Sequence, residues 1–147
     1  EAEDSYRQVS ELLPARARAM VEYFLGRTPP GEPTDMVFCH NDLGSEHVLV
    51  DEARGAVTGV IDWADAAIAD PVCDLALIYR DLGPEVFDLT LAHYNGTIDE
   101  AGRERAAFYA RCALLEDVAY GLHSADKRYL HTGLAHLERT FHRLPDS

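Results

Sequence analysis

Lysine is almost missing from this chain: Lys127 is the only one. No G-x-G-x-x-G stretch occurs either. The sequence therefore offers no glycine-rich backbone cradle for phosphate oxygens and no early lysine to meet them. Cysteine is sparse as well. Cys39, Cys73 and Cys112 are odd in number, well separated and without a C-x-x-C pair, which argues for reduced thiols and against a disulfide frame or structural zinc. No apolar run approaches the roughly 20 residues needed to span a bilayer, and the first residues lack a basic stretch leading into an apolar one. The expectation is a cytoplasmic chain with no membrane partner. Basic residues number 13 against 26 acidic ones, a formal net charge of −13. Such a field repels nucleic acid. Solubility alone accounts for it, and a binding face for a cationic partner is the sharper alternative.

What is present suits a folded globule. With 147 residues and 47% hydrophobic content, one domain over residues 1–147 and a real core are expected. Tyr6, Val9, Leu13, Ala17, Met20 and Phe24 recur at steps of three and four, an amphipathic helical stripe that Pro14 kinks or restarts. Pro29, Pro30 and Pro33 make 28–35 a loop. Met36 to Cys39, His47 to Asp51 and Ala56 to Ile61 read as strands, the last two as a hairpin closed by 52–55. Asp70-Pro71 opens a helix, with Asp70 as its cap, that stops near Gly83. A helix from Pro84 to Asn95-Gly96 and a long, central one from about Asp99 to Leu122 follow. Leu130, Leu134, Leu137, Phe141 and Leu144 mark a packed terminal helix. The fold class is α+β, mostly helical, with a small β-hairpin at its active edge.

That edge carries the chemistry. Residues 40–47 read His40-Asn41-Asp42-Leu43-Gly44-Ser45-Glu46-His47, and Ile61-Asp62-Trp63 follows the hairpin. Phosphoryl transfer needs one carboxylate to orient a hydroxyl and further ligands to hold a metal on the nucleotide phosphates. Asp42, after a strand and in a tight loop, is the candidate catalytic base. Alone, a turn or capping Asp would explain it; the surrounding pattern favours catalysis. His40 belongs to the same loop and is expected to brace it. Asp62, at a strand end, is a hard oxygen ligand suited to Mg²⁺. His47 stands where asparagine is usual. An imidazole is a softer ligand, better suited to Zn²⁺ or Mn²⁺ than to Mg²⁺, and a strand-start histidine without that role is the plain alternative. Asp74, one turn into its helix, is placed to tie that helix to the loop. Asp65 faces a substrate cavity or solvent. Glu116 and Asp117, on an otherwise apolar helix, are expected to line a cleft for ammonium groups or to reach solvent at the helix rim.

These residues resemble a known family. The stretches Val37 to Asp51 (VFCHNDLGSEHVLVD), Val57 to Asp65 (VTGVIDWAD) and Ala69 to Ala76 (ADPVCDLA) are similar to the aminoglycoside phosphotransferase family of kinase-like enzymes, which also includes macrolide, choline and homoserine kinases. The resemblance is specific over roughly residues 36–82. It implies the large C-terminal lobe of a protein-kinase-like fold, with Asp42 as base and Asp62 as the metal ligand equivalent to the Asp opening the D-F-G segment of protein kinases. His47 resembles the aminoglycoside 2″-kinase and macrolide kinase branches. The implied reaction moves the γ-phosphoryl of ATP or GTP, with Mg²⁺ or Mn²⁺, to a hydroxyl of a small molecule, an aminoglycoside or macrolide antibiotic among the candidates. The family's strand lysine, its paired helix glutamate and its phosphate loop are not found. The expectation is therefore a C-terminal catalytic lobe without its N-terminal nucleotide-clamping lobe, inactive by itself. Two alternatives stay open: a small-metabolite kinase acting on choline, homoserine or a sugar, and a non-catalytic kinase-like binding module. A metal-dependent phosphohydrolase is disfavoured, because neither a His-Asp dipeptide nor an H-x-H pair occurs.

Overall fold

The computed structural model describes residues 1–125 and 127–142. Helix α1 (Ala2–Val9) continues as a single 3₁₀ turn, Ser10–Leu12, before α2 (Ala15–Leu25) begins. The break falls at Pro14, which has no N–H to donate and forces Leu13 into extended backbone, φ −82° and ψ 136°. Restarting the helix resets its phase. Val9, Leu13, Ala17 and Phe24 are buried as the stripe predicts, but Val21 is fully buried and Met20 only partly so.

Strand β1 (Val37–Cys39) pairs antiparallel with β4 (Ala67–Ala69), Phe38 facing Ile68. Strands β2 (Val48–Asp51) and β3 (Ala56–Val60) form the expected hairpin, with a register shift between Leu49 and Val50. Strand β4 was not expected; three residues carry too little alternation to be read. These strands leave much apolar surface open: Phe38 and Ile68 are each 65% exposed and Val57 63%.

Helix α3 (Val72–Leu82) is followed by α4 (Pro84–His93), which stops short of the expected Asn95-Gly96. Helix α5 (Glu100–His123) is capped by Asp99, whose side chain accepts the Gly102 N–H at 2.8 Å. Helix α6 (Arg128–Phe141) closes the fold. Leu144, read above as part of that helix, lies outside the described residues.

Three apolar clusters share α5, the smallest being Val9 on Val118 and Ala119. Val72, Leu75, Ala76, Tyr79 and Phe87 pack on Ala106 and Ala110. Leu13, Ala17, Val21, Phe24, Leu137 and Phe141 pack on Leu114 and Leu115. Helix α5 is thus central, as its composition predicts. Alanines at 106 and 110 let α3 lie close against it. On the other side Gly121 admits the Leu130 backbone of α6, and a side chain there would collide with it. Each fully buried leucine or phenylalanine contributes roughly 1.5–3 kcal/mol of transfer free energy, so the helical layer is the stable base on which the strands and loops sit.

Candidate active site

The loop between β1 and β2 is held from below by two acids of α3. Asp74 accepts the His40 N–H at 2.9 Å and the Asn41 N–H at 2.7 Å. Asp81 accepts the Ser45 N–H at 2.7 Å. Seven residues separate these acids in a helix, two turns or about 10 Å along one face. The loop backbone therefore spans a fixed distance between two carboxylates. Asp74 does what its position suggests. Asp81 was missed, and the signal that could have found it is its heptad spacing from Asp74.

His40 is 2% exposed, and its ring nitrogens bond main-chain groups. Its Nε2 lies 2.8 Å from the Ile61 carbonyl and its Nδ1 accepts the Asp42 N–H at 3.3 Å. A carbonyl only accepts and an amide only donates, so the proton sits on Nε2. One ring thus joins the loop to the end of β3, a positioning role. Its far neighbour is the Trp63 ring, 4.6 Å between centroids.

Asp42 and Asp62 come together on either side of His47. His47 Nδ1 donates to the Asp42 main-chain carbonyl at 2.7 Å, and its ring nitrogens lie 3.7 Å from the Asp42 and Asp62 carboxylates respectively. With Nδ1 carrying the proton, Nε2 turns its lone pair toward Asp62. The Asp42 carbonyl raises the His47 pKa; burial opposes this, and the charges of Asp42, Glu46 and Asp62 add to it. An imidazole lone pair beside a carboxylate is a site for a cation, be it a proton or a metal. Among the described residues no group of three or more His, Cys, Asp and Glu gathers as a metal site. Asp62 and His47 Nε2 are two adjacent donors of the kind that could hold a divalent ion together with ligands from outside the chain.

Asn41 and Asp62 both have left-handed backbone, φ 69° and 61°. These are residue types that tolerate that region, at a cost of order 1 kcal/mol or more. Each sits beside or at a site carboxylate, and the surrounding hydrogen bonds fix it there.

Beside the loop opens a cleft of about 230 Å³ lined by Ser45, Glu46, Asp81, Asp117, Tyr129 and His136, among others. Arg80 bonds Asp81 at 2.7 Å and Asp117 at 2.9 Å. One guanidinium thus serves two half-buried acids, and they do not share it equally. Burial would raise the Asp81 carboxyl, but Arg80 and the Ser45 N–H together hold it below the usual range. Burial pushes Asp117 up to about 6 despite Arg80, with Asp81 and Glu46 adding like charge. Asp117 therefore stands at the cleft as expected. Its neighbour Glu116 does not: it lies outside the cleft, with its carboxyl raised by partial burial and then by the Glu1 carboxylate. Asp65 is exposed in the turn after Trp63 and borders neither the cleft nor the His47 pair. Asp70 caps α3 by accepting the Val72 N–H at 3.2 Å, and it also pairs with Arg105 at 2.6 Å.

A model of the phosphotransferase enzyme family (APH) matches residues 1–109. Viomycin phosphotransferase of Streptomyces vinaceus is 34% identical over 98 residues, 65% of this chain and 34% of that protein. Aminoglycoside 3'-phosphotransferase of Streptomyces fradiae is 38% identical over 93 residues, 58% of this chain and 34% of that protein. A solved GDP complex of wild-type aminoglycoside 2'-phosphotransferase-IIIa superposes with a TM-score of 0.67 at 25% identity, covering 96% of this chain and 49% of that one. Macrolide 2'-phosphotransferase type I shares the fold, with a TM-score of 0.55 at 24% identity. The chain thus spans about a third of the length of these curated relatives and about half of the first solved chain. Among the described residues no helix is long and apolar enough to cross a membrane. The matched span holds the Asp42 loop, the His47 pair and the α3 acids that carry them, and the chain belongs to the APH family of phosphotransferases.

Proposed function

We propose that this chain is the catalytic, acceptor-side lobe of a phosphotransferase that moves the γ-phosphoryl of ATP or GTP to a hydroxyl of a small cationic molecule. An antibiotic of the aminoglycoside, macrolide or viomycin kind is the favoured acceptor class. The observation that carries the reading is the convergence of Asp42 and Asp62 on the two nitrogens of His47. In the proposed reaction the Asp42 carboxylate accepts a hydrogen bond from the acceptor hydroxyl and aims its oxygen at the γ-phosphorus. As the new P–O bond forms, the bond to the β,γ-bridging oxygen breaks and the hydroxyl proton passes to Asp42. His47 Nε2 and Asp62 are the residues that would hold the divalent ion, which when bound neutralises charge on the phosphate oxygens. Glu46 and Asp117, at the cleft beside the loop, would receive the acceptor's ammonium groups; Asp65 and Glu116 contribute less, standing outside it.

A nucleotide-clamping lobe upstream is part of the same proposal. It is supported by the greater length of the relatives and by the uncovered apolar strands around Phe38, Ile68 and Trp63, which a soluble monomer rarely leaves open. The test uses the complete protein. Transfer from ATP and GTP is measured to viomycin, aminoglycosides, macrolides, choline, homoserine and sugars. A hydroxyl acceptor from the antibiotic group, lost by about 10²–10⁴-fold in kcat with Asp42→Asn, is the expected result. Transfer confined to choline, homoserine or a sugar would move the enzyme to the metabolite-kinase class. No transfer at all, with Mg²⁺-independent nucleotide binding, would reduce the protein to a binding module.

A further inference from the structure

Behind α3, on the side away from the catalytic loop, lies a larger cavity of about 520 Å³. Its walls are the end of α2, Tyr79 of α3, Phe87 of α4 and the first half of α5. Arg111 lines it and is 7% exposed. The Arg111 Nε donates to the Thr140 carbonyl at 3.1 Å, and the guanidinium lies 5.8 Å from the Phe24 ring and 5.9 Å from the Phe141 ring. Among the described residues no carboxylate reaches ion-pair distance of it. Burial, and the like charge of Arg27, pull its pKa down against the opposing Tyr79 hydroxyl. Arg27 lines the same cavity and is exposed, as are Glu100 and Glu104, whereas Arg103 is occupied by Asp88 at 2.9 Å.

A buried cation without a counter-charge is costly. Here it faces a space of the size that takes a small ligand. A guanidinium fork matches a carboxylate or phosphate two-point fashion, and the rings of Phe24, Phe108 and Phe87 offer flat apolar surface to the rest of a molecule. The geometry points to a second ligand site in this cavity, for an aromatic anion whose carboxylate or phosphate meets Arg111 and Arg27 and whose ring lies against Phe24 and Phe108. None of these residues belongs to the catalytic loop or the acidic cleft, so this site stands or falls independently of the phosphotransfer reading.

Isothermal titration of the complete protein with benzoate, phenyl phosphate and inorganic phosphate tests it, with the nucleotide site filled by excess ADP. The two aromatic anions bind saturably at one site and inorganic phosphate binds more weakly. Arg111→Met weakens them by about tenfold or more, as loss of a charge-assisted hydrogen bond implies. Arg27→Ala, an exposed change that leaves folding alone, weakens them by about threefold. Asp42→Asn leaves this binding unchanged. Absence of saturable binding, which is also the result if an acidic side chain of the upstream lobe fills the cavity, overturns the site. So does binding that neither Arg111→Met nor Arg27→Ala affects.

Discussion

The two faces of α3 are built on opposite terms. Toward α4 and α5 it presents Val72, Leu75, Ala76 and Tyr79, all within the buried core. Toward the loop it presents Asp74 and Asp81, each accepting main-chain N–H groups. The rear face is held by non-directional apolar contact and tolerates small shifts. The front face is held by a few short, charge-assisted bonds and fixes positions. A left-handed Asn41, next to Asp42, is held in place because Asp74 and Asp81 grip its loop at two points. The apolar back makes the helix rigid, and the acidic front passes that rigidity on.

The comparison can be broken most severely at the rear. Leu75→Ala should cost about 2–5 kcal/mol in urea unfolding, with activity per folded molecule nearly intact. If activity per folded molecule falls as well, the division between the faces is wrong. A pH titration of stability probes the far tip of the helix, where Arg80 is shared. Asp117 has a raised folded pKa, so the folded state binds its proton more tightly than the unfolded one. Its contribution therefore declines as pH rises from about 4 to about 6, by no more than about 3 kcal/mol. Asp81 has a lowered pKa and works in the other direction: its contribution is present above the ordinary carboxylate pKa and is lost as pH falls through the folded value. Asp117→Asn should flatten the first trend and leave the second, which thermal melts at a series of pH values would resolve.

On the front face, Asp74→Ala removes the charged acceptor of the part-buried His40 N–H and the exposed Asn41 N–H and should cost about 1–3 kcal/mol. Its sharper signature is kinetic: kcat of the complete protein should drop further than the folded fraction does, and Asp74→Asn should recover part of it. Equal losses would make Asp74 a mere stability residue. The smallest effect is expected at Asn41. Asn41→Gly relieves the left-handed backbone and should change stability by less than about 1 kcal/mol, whereas Asn41→Ala should destabilise by about 1–2 kcal/mol.

How much of this was legible beforehand depends on distance along the chain. Asp42, His47 and Asp62 could be read together because a tight loop and one hairpin join them. Asp74 could be placed because its helix starts at a visible Asp-Pro cap. Asp81 was within reach through its heptad spacing from Asp74, but the sharing of Arg80 by Asp81 and Asp117 was not. That sharing depends on how α3 and α5 cross, and no local pattern encodes it. Glu116 and Asp117 differ by one residue, or about 100° around the helix, and an apolar background did not say which of them would meet the cleft. The left-handed torsions at Asn41 and Asp62 leave no mark beyond residue types that permit them.

The spacing of the two α3 acids sets a rule for change in this protein. Lengthening or shortening the helix by one residue between Leu75 and Arg80 would rotate the second carboxylate roughly 100° off the first, beyond what a bending side chain recovers. Substitutions on that segment can accumulate wherever core volume is kept. Insertions and deletions cannot, so variation in α3 should be confined to spelling and never to length.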